Sequence, residues 1–168
     1  MADDPAVVDE ERLSADFRLA MRRTAAGVAI VTTRRDGAPS GITVSSFGSL
    51  SMDPPSVLAC VNSESRTLAA ILDAGAFAAN VLADHQSDLA EIFSGSVTGE
   101  QRFDHGEWQA LSTGAPALGG ALATFDCRLA ATFSFGTHRI IVGEVVAMRV
   151  ADAKPLLYHA KTYGRFGA

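Results

Sequence analysis

Apolar residues along this chain change their period several times, and the changes mark out its elements. Met1 to Leu13 is polar, acidic and without period, so residues 1–13 are expected to form a disordered leader. Ser14 then stands as a helix N-cap, with Phe17, Ala20, Met21 and Thr24 at helical spacing and Gly27 beyond the end. From Val28 the pattern becomes a β-branched run, Val28-Ala29-Ile30-Val31-Thr32-Thr33, closed by the turn signal Arg35-Asp36-Gly37. A second strand through Gly41 to Val44 completes a hairpin. Ser56 to Val61 is a further apolar strand, ending at the polar run Asn62 to Thr67.

A helix follows, with Ser65 or Thr67 as cap, Leu68, Ile71 and Leu72 on its buried face, and Gly75 at its end. Ala76 to Leu82 reads as a strand, and Gln86 to Phe93 as a short helix with Leu89, Ile92 and Phe93 inside. Residues 94–120 hold six glycines, Pro116 and the single Trp108 without clear periodicity, the mark of a functional or dimer-covering loop. Strict alternation then puts Phe125, Cys127, Leu129, Ala131, Phe133 and Phe135 on one face of a strand and Asp126, Arg128, Thr132 and Ser134 on the other. Gly136-Thr137-His138 turns this strand into Arg139 to Val150, where Gly143 marks a bulge; Leu156 to His159 and a tail from Lys161 to Phe166 finish the chain. Six or seven strands in hairpins with two or three peripheral helices predict a mainly β fold, a barrel or sandwich, and argue against a parallel α/β sheet.

Length and composition narrow this further. At 168 residues the chain is expected to be one domain, residues 14–168, behind the leader. No apolar run approaches the roughly 20 residues of a membrane span, and the N-terminus is acidic where a signal peptide is basic. The expectation is a cytoplasmic protein that engages no membrane. Six acids against one base in residues 1–16 account for most of the net charge of −5; the body balances thirteen acids with thirteen bases, only two of them lysine. A neutral body offers no basic stripe to a phosphate backbone, so no nucleic acid is expected. Cys60 and Cys127 sit apart in apolar runs and are expected to be buried, reduced thiols, and the four histidines share no ligand spacing, so no metal is expected.

Candidate chemistry concentrates in two stretches. Gly41 to Pro55 places hydroxyls, free backbone donors and a double proline between two apolar runs, which marks a ligand seat, although Thr43 to Ser46 could equally satisfy an edge strand through local hydrogen bonds. Asn62 to Thr67 puts three hydroxyls and Arg66 at a strand end and helix start, where backbone N–H groups and the helix dipole favour an anion such as a phosphate; ordinary capping beside a solvated arginine is the other reading. His138 follows the turn between the two long strands, either as an exposed turn residue or as a contact for a second ligand beside the first. Dinucleotide-fold, P-loop, nucleophile-elbow and zinc-protease motifs are all missing from the sequence.

Thr43-Val44-Ser45-Ser46-Phe47 with Ser49-Leu50-Ser51 and Pro54-Pro55, Phe77 to Leu82, Arg102-Phe103, Gly136-Thr137-His138 with Gly143-Glu144-Val145, and the tail around Tyr163 together resemble the short-chain flavin reductases. These are the reductase components of two-component flavin-dependent monooxygenases. The resemblance spans residues 17 to 166 in unbroken order. It implies a split β-barrel with Greek-key character, a homodimer, FMN or FAD near the dimer interface, NADH or NADPH as hydride donor, and a separate oxygenase that receives the reduced flavin. On this resemblance Thr43, Val44, Ser45 and Ser46 hold the isoalloxazine edge, and Asn62, Ser63, Ser65, Arg66 and Thr67 hold the ribityl phosphate side. Asn80 and Phe93 are counted with the cofactor-binding set on the same ground. His138 lies against the nicotinamide as the one catalytic candidate, and Tyr163 or Arg165 closes over it. The family's turn reads Gly-Asp-His, whereas this chain has Thr137 in the middle. Two other readings stand beside the reductase: a related flavin barrel that oxidises its own small substrate, and a non-catalytic flavin-binding module.

Overall fold

The computed structural model describes residues 9–167. Helix α1 (Glu10–Arg23) is capped by Asp9, whose carboxylate accepts the Arg12 N–H at 3.1 Å. Glu10 and Glu11 in its first turn and Arg22 and Arg23 in its last complement the helix dipole. The helix therefore starts ahead of Ser14. Residues 10–13, expected in the leader, belong to it, and residues 1–8 of that leader lie outside the described residues. None of α1 is buried.

The chain continues through β1 (Ala26–Gly27), β2 (Ala29–Arg35), β3 (Ala38–Val44), β4 (Phe47–Met52), β5 (Pro55–Asn62), α2 (Arg66–Ala74), β6 (Ala76–Val81) and α3 (Ser87–Glu91). Two helical turns, Ile92–Ser96 and Gly99–Asp104, lead to β7 (Trp108–Ala110), β8 (Pro116–Leu118), β9 (Ala123–Phe135), β10 (His138–Val150), β11 (Leu156–His159) and β12 (Thr162–Arg165). Seven strands form one sheet in the order β3-β2-β6-β9-β10-β5-β4, and every adjacent pair is antiparallel. The chain is thus mainly β with peripheral helices, as the pattern predicts. Its main sheet keeps two edges, β3 and β4, so hydrogen bonding does not close it into a barrel. β1, β11 and β12 make a small second sheet, and β7 pairs with β8.

Strand β2 explains its own unbroken apolar run, because it is buried on both faces. Ala29 and Val31 point into one core with Val57, Ala59, Val61, Phe77 and Ile141, and α2 covers that core with Leu68 and Ile71. Val28, immediately before β2, and Ile30 point into the other, with Leu82, Ala90, Phe93, Leu118 and Leu156. Helix α2 stops at Gly75, whose φ of 65° is the left-handed cap that glycine adopts without strain. Residues 94–120, expected as a functional or dimer-covering loop, also close the second core: Phe93, Phe103 and Trp108 form a triangle with ring centres 5.0 to 5.3 Å apart.

The single alternating face expected of β9 does not exist. Gly143 of β10 pairs with Leu129, but Val142 pairs with Ala131, so one residue of β9 is inserted between them. Cys127 and Leu129 consequently point inward, whereas Ala131, Phe133 and Phe135 emerge on the outer face, Phe133 60% and Phe135 87% exposed. Asp126, expected outside, is buried and held by the backbone N–H and the hydroxyl of Thr113. Beside it, burial first and the Asp126 charge second push the Cys127 thiol up to about 12, so it remains protonated.

The same bulge region needs Gly143 for its size. A Cβ there would run into the Phe77 ring and stand 2.7 Å from Cys127 Cβ, and both neighbours are core residues unable to move aside. Gly143→Ala is therefore expected to destabilise the protein by about 1–3 kcal/mol, the usual range for overpacking. Urea unfolding reads this as a lower midpoint at unchanged slope.

Candidate functional site

Between β3 and β4 the chain leaves the sheet edge at Ser45 and Ser46. The crossing is pinned to β5: the Cys60 N–H donates to Ser46 Oγ at 3.2 Å, and the Ser46 hydroxyl lies 2.9 Å from the Cys60 carbonyl. Thr43 spends its hydroxyl on the Ala90 carbonyl at 2.8 Å, which ties β3 to α3. Alongside this segment runs an open groove of about 540 Å³. Residues 42–46 form one bank and Cys60, Val61, Asn62 and His138 the other, with Phe17 and Met21 of α1 at its margin. Cys60 is accordingly half-buried, not enclosed as expected.

His138 reaches this groove through strand pairing, which sets it opposite Asn62. The turn before it is clipped in place, since the Ser63 N–H donates to the Thr137 carbonyl at 3.0 Å. The Thr137 hydroxyl lies 2.9 Å from His138 Nδ1, leaving Nε2 as the ring nitrogen not engaged by Thr137. Next to the groove, Tyr163 of β12 lines a smaller cleft of about 200 Å³ with Thr43, Val44, Ser45 and Ser94, its ring 5.3 Å from Tyr158. Burial first, then the neighbouring Tyr158 and Glu91, raise its pKa above the ordinary phenol value, so Tyr163 stays a hydrogen-bond donor.

On the other side of β3 lies a cavity of about 450 Å³. Its walls carry Ser40, Ser65, Arg66, Thr67, Thr98 and Arg102, with Glu100 as the acidic exception. Arg66 opens α2, where a cation opposes the positive end of the helix dipole. No acid occupies the first turn of α2, and Arg66 has no ion-pair or hydrogen-bond partner among the described residues. A bound anion resolves both, accepting from the free helix N–H groups while neutralising the guanidinium. Arg102 is fixed to the cavity wall, its Nε on the Val97 carbonyl at 2.6 Å and its Nη1 on the Gly41 carbonyl at 2.9 Å. Nothing in the sequence beyond its place in the resembling set marks Arg102, because its partner Gly41 is 61 residues away. Ile42 lines both the cavity and the groove, so the two flank the same stretch of β3.

The fold therefore brings together Thr43, Val44, Ser45, Ser46, Asn62, Ser65, Arg66, Thr67, His138 and Tyr163. It does not bring the others. Asn80 is fully buried and all its polar capacity is used by the core: its amide donates to Ile30 O and Thr32 Oγ1, and its carbonyl accepts from Leu118 N–H and the Thr124 hydroxyl. Phe93 is equally enclosed and lies under Gly41, where a Cβ would meet its ring at 2.8 Å. Arg165 is exposed and 3.6 Å from the Asp84 carboxylate, in none of these clefts. Ser63 contributes only its backbone, to the turn beneath His138. Among the described residues no group of three His, Cys, Asp or Glu is placed to hold a metal, and no helix is long and apolar enough to cross a membrane.

A groove with apolar walls, beside a cavity lined by Arg66 and Arg102, has the chemistry to take a flat heteroaromatic ring carrying a phosphorylated chain. Known proteins agree with that chemistry. The flavin reductase like domain matches residues 21–167. The chain is 37% identical over 154 residues to FMN reductase (NADH) RutF of Agrobacterium fabrum, covering 91% of this chain and 88% of that protein. It is 38% identical over 156 residues to the reductase component of the FADH(2)-dependent resorcinol hydroxylase of Rhizobium sp., covering 91% and 87%. Its fold superposes on the NADH:FAD oxidoreductase SgcE6 of Streptomyces globisporus with a TM-score of 0.87 at 28% identity, covering 98% of this chain and all of that one. A site of this shape, on a chain matched from residue 21 to residue 167, makes this protein a member of the flavin reductase family.

Proposed function

We propose that this protein is an NAD(P)H:flavin oxidoreductase that reduces FMN or FAD and passes the reduced flavin to a separate oxygenase component. The observation that carries the reading is the placement of the Thr43–Ser46 groove beside the cavity around the uncompensated Arg66, with Ile42 lining both. Relatives named as an NADH-dependent FMN reductase and as the reductase component of a hydroxylase support it.

Bound here, a flavin supplies a ring that accepts a hydride from the reduced nicotinamide. The protein's part is placement. Backbone groups of residues 43–46 hold the ring edge, Ser65, Arg66, Thr67 and Arg102 hold the phosphate, and Val44 and Val61 keep water from one side. His138 stands on the bank opposite Thr43–Ser46, where it orients the nicotinamide, and Tyr163 borders the same segment as a neutral donor. Hydride transfer between two stacked rings calls for geometry more than for acid–base groups.

The two sheet edges β3 and β4 are the opening of a split barrel, in a single domain that takes in α1 from Glu10. The outer face left bare by Phe133 and Phe135, with Phe17 and Met21 uncovered on α1, is the surface of a homodimer. A cytoplasmic site of action fits a partner that draws on diffusing flavin.

Mixing the protein with NADH or NADPH and free flavin is expected to consume the nicotinamide only when flavin is present, followed by its near-ultraviolet absorbance. No flavin-dependent turnover with either donor refutes the proposal. His138→Ala is expected to lower kcat roughly 10- to 100-fold, the loss of one contact of about 1.5–3 kcal/mol, while flavin affinity changes little. Weaker flavin binding at unchanged kcat would instead place His138 against the flavin.

A further inference from the structure

The anion cavity does not end at Arg66. A second groove of about 280 Å³ adjoins it along the first half of β3, and Pro39, Ser40 and Arg66 line both. Its remaining walls are Ala38 on β3, Ala69 and Ala70 on α2, and Arg35 at the end of β2. Methyl groups and a proline ring thus make a narrow apolar slot with an arginine at each end. Arg35 is held there by Asp73 at 2.6 Å, with Asp36 at 3.8 Å. That pairing offsets its charge and fixes the guanidinium as a planar surface, suited to lie against an aromatic ring more than to bind a further anion. Because β3 is an edge of the main sheet, its outward backbone groups have no strand partner and are open to a ligand with donors and acceptors on its rim.

A planar slot with an open strand edge, adjoining the cavity around Arg66, has the features a purine nucleotide requires. Resting on the flavin site described above, we infer that this groove takes the adenosine monophosphate half of FAD, so that the chain binds FAD in preference to FMN. Arg66, on the wall common to both cavities, lies between the two phosphates of the dinucleotide. The isoalloxazine end gains nothing from the groove, and the discrimination comes from the slot formed by Arg35, Pro39, Ala69 and Ala70.

Equilibrium binding of riboflavin, FMN and FAD, read by flavin fluorescence without any turnover, tests this. Wild-type protein is expected to bind FAD at least about tenfold more tightly than FMN, a difference of about 1.4 kcal/mol. Ala69→Phe fills the slot from an exposed position on α2, so the fold tolerates it; FAD affinity should fall to that of FMN while FMN is unchanged. Arg35→Ala should weaken FAD several-fold and leave FMN alone. Equal affinities for FMN and FAD in the wild type, or a preference for FAD that survives both substitutions, overturn the assignment while the flavin site stands. An Ala69→Phe protein that keeps its flavin affinities but, in a parallel titration, binds NADH far more weakly gives the slot to the hydride donor's adenylate, and the assignment falls. Failure of the wild type to bind any of the three flavins overturns the flavin site as well.

Discussion

Asn80→Ala is expected to cost about 3 kcal/mol or more and to lower the melting temperature by roughly 6–12 °C, with little change in flavin affinity at temperatures where the variant is folded. The side chain ties four segments together. Its amide donates to Ile30 O at 3.1 Å and Thr32 Oγ1 at 3.2 Å on β2, and its carbonyl accepts from Leu118 N–H at 2.8 Å on β8 and the Thr124 hydroxyl at 3.0 Å on β9. Truncation takes the Asn80 carbonyl from the Leu118 N–H and the Thr124 hydroxyl, each at about 1–3 kcal/mol, and opens a void between β6 and the β7–β8 hairpin, while the Thr32 hydroxyl keeps the Pro116 carbonyl. Water entering the void would recover part of the loss, which is why the separate costs do not simply add. Thermal unfolding and flavin titration of the same sample separate this reading from the cofactor contact implied by resemblance. A variant that unfolds like the wild type but binds flavin poorly would return Asn80 to the site.

Arg66→Ala should weaken FMN and FAD by roughly 10- to 100-fold and leave riboflavin unchanged, since a charge-assisted hydrogen bond contributes about 1.5–3 kcal/mol and riboflavin has no phosphate to receive it. The structural cost should be small. Arg66 is exposed, has no partner to abandon among the described residues, and opposes the dipole of α2, so its removal relieves the helix slightly. Arg66→Lys keeps the charge but not the planar fork, and should recover only part of the affinity. Raising the salt concentration should weaken FMN binding to the wild type more than to Arg66→Ala. Equal losses for riboflavin and FMN would mean that Arg66 acts on the ring end and that the phosphate lies elsewhere.

The parts of the site that were legible in the sequence are those built from consecutive residues. Thr43 to Ser46 and Ser65 to Thr67 are each a local event, a strand leaving a sheet and a helix starting, and hydroxyls and glycines mark such events without reference to the rest of the chain. Arg102 and Gly41 illustrate the opposite case. Their contact crosses 61 residues and follows from where a short helical turn settles on the edge of β3. Asn80 and Phe93 were misplaced for a related reason: a polar and an aromatic residue in a motif-rich chain read equally well as ligands or as core, and only burial separates the two.

Strand β9 shows where periodicity stops being informative. Its residues alternate from Phe125 to Phe135, yet the inserted residue opposite Val142 and Gly143 reverses which side faces the core, a change of register that no pattern within β9 records. Likewise, Asp9 begins α1 where the apolar period has not yet started, because charge and capping, not burial, stabilise a helix none of whose residues is buried. The sequence by itself determined the mainly antiparallel class, the positions of most strands and the two polar turns of the candidate site, since side-chain period, glycine stops and capping residues are local preferences of the backbone. Tertiary structure alone decided which turns lie on either side of β3, which side of β9 is exposed, and that Arg35, Pro39 and Ala69 flank the cavity around Arg66. These depend on strand order and register, which are fixed by the packing of two cores between residues far apart in the chain.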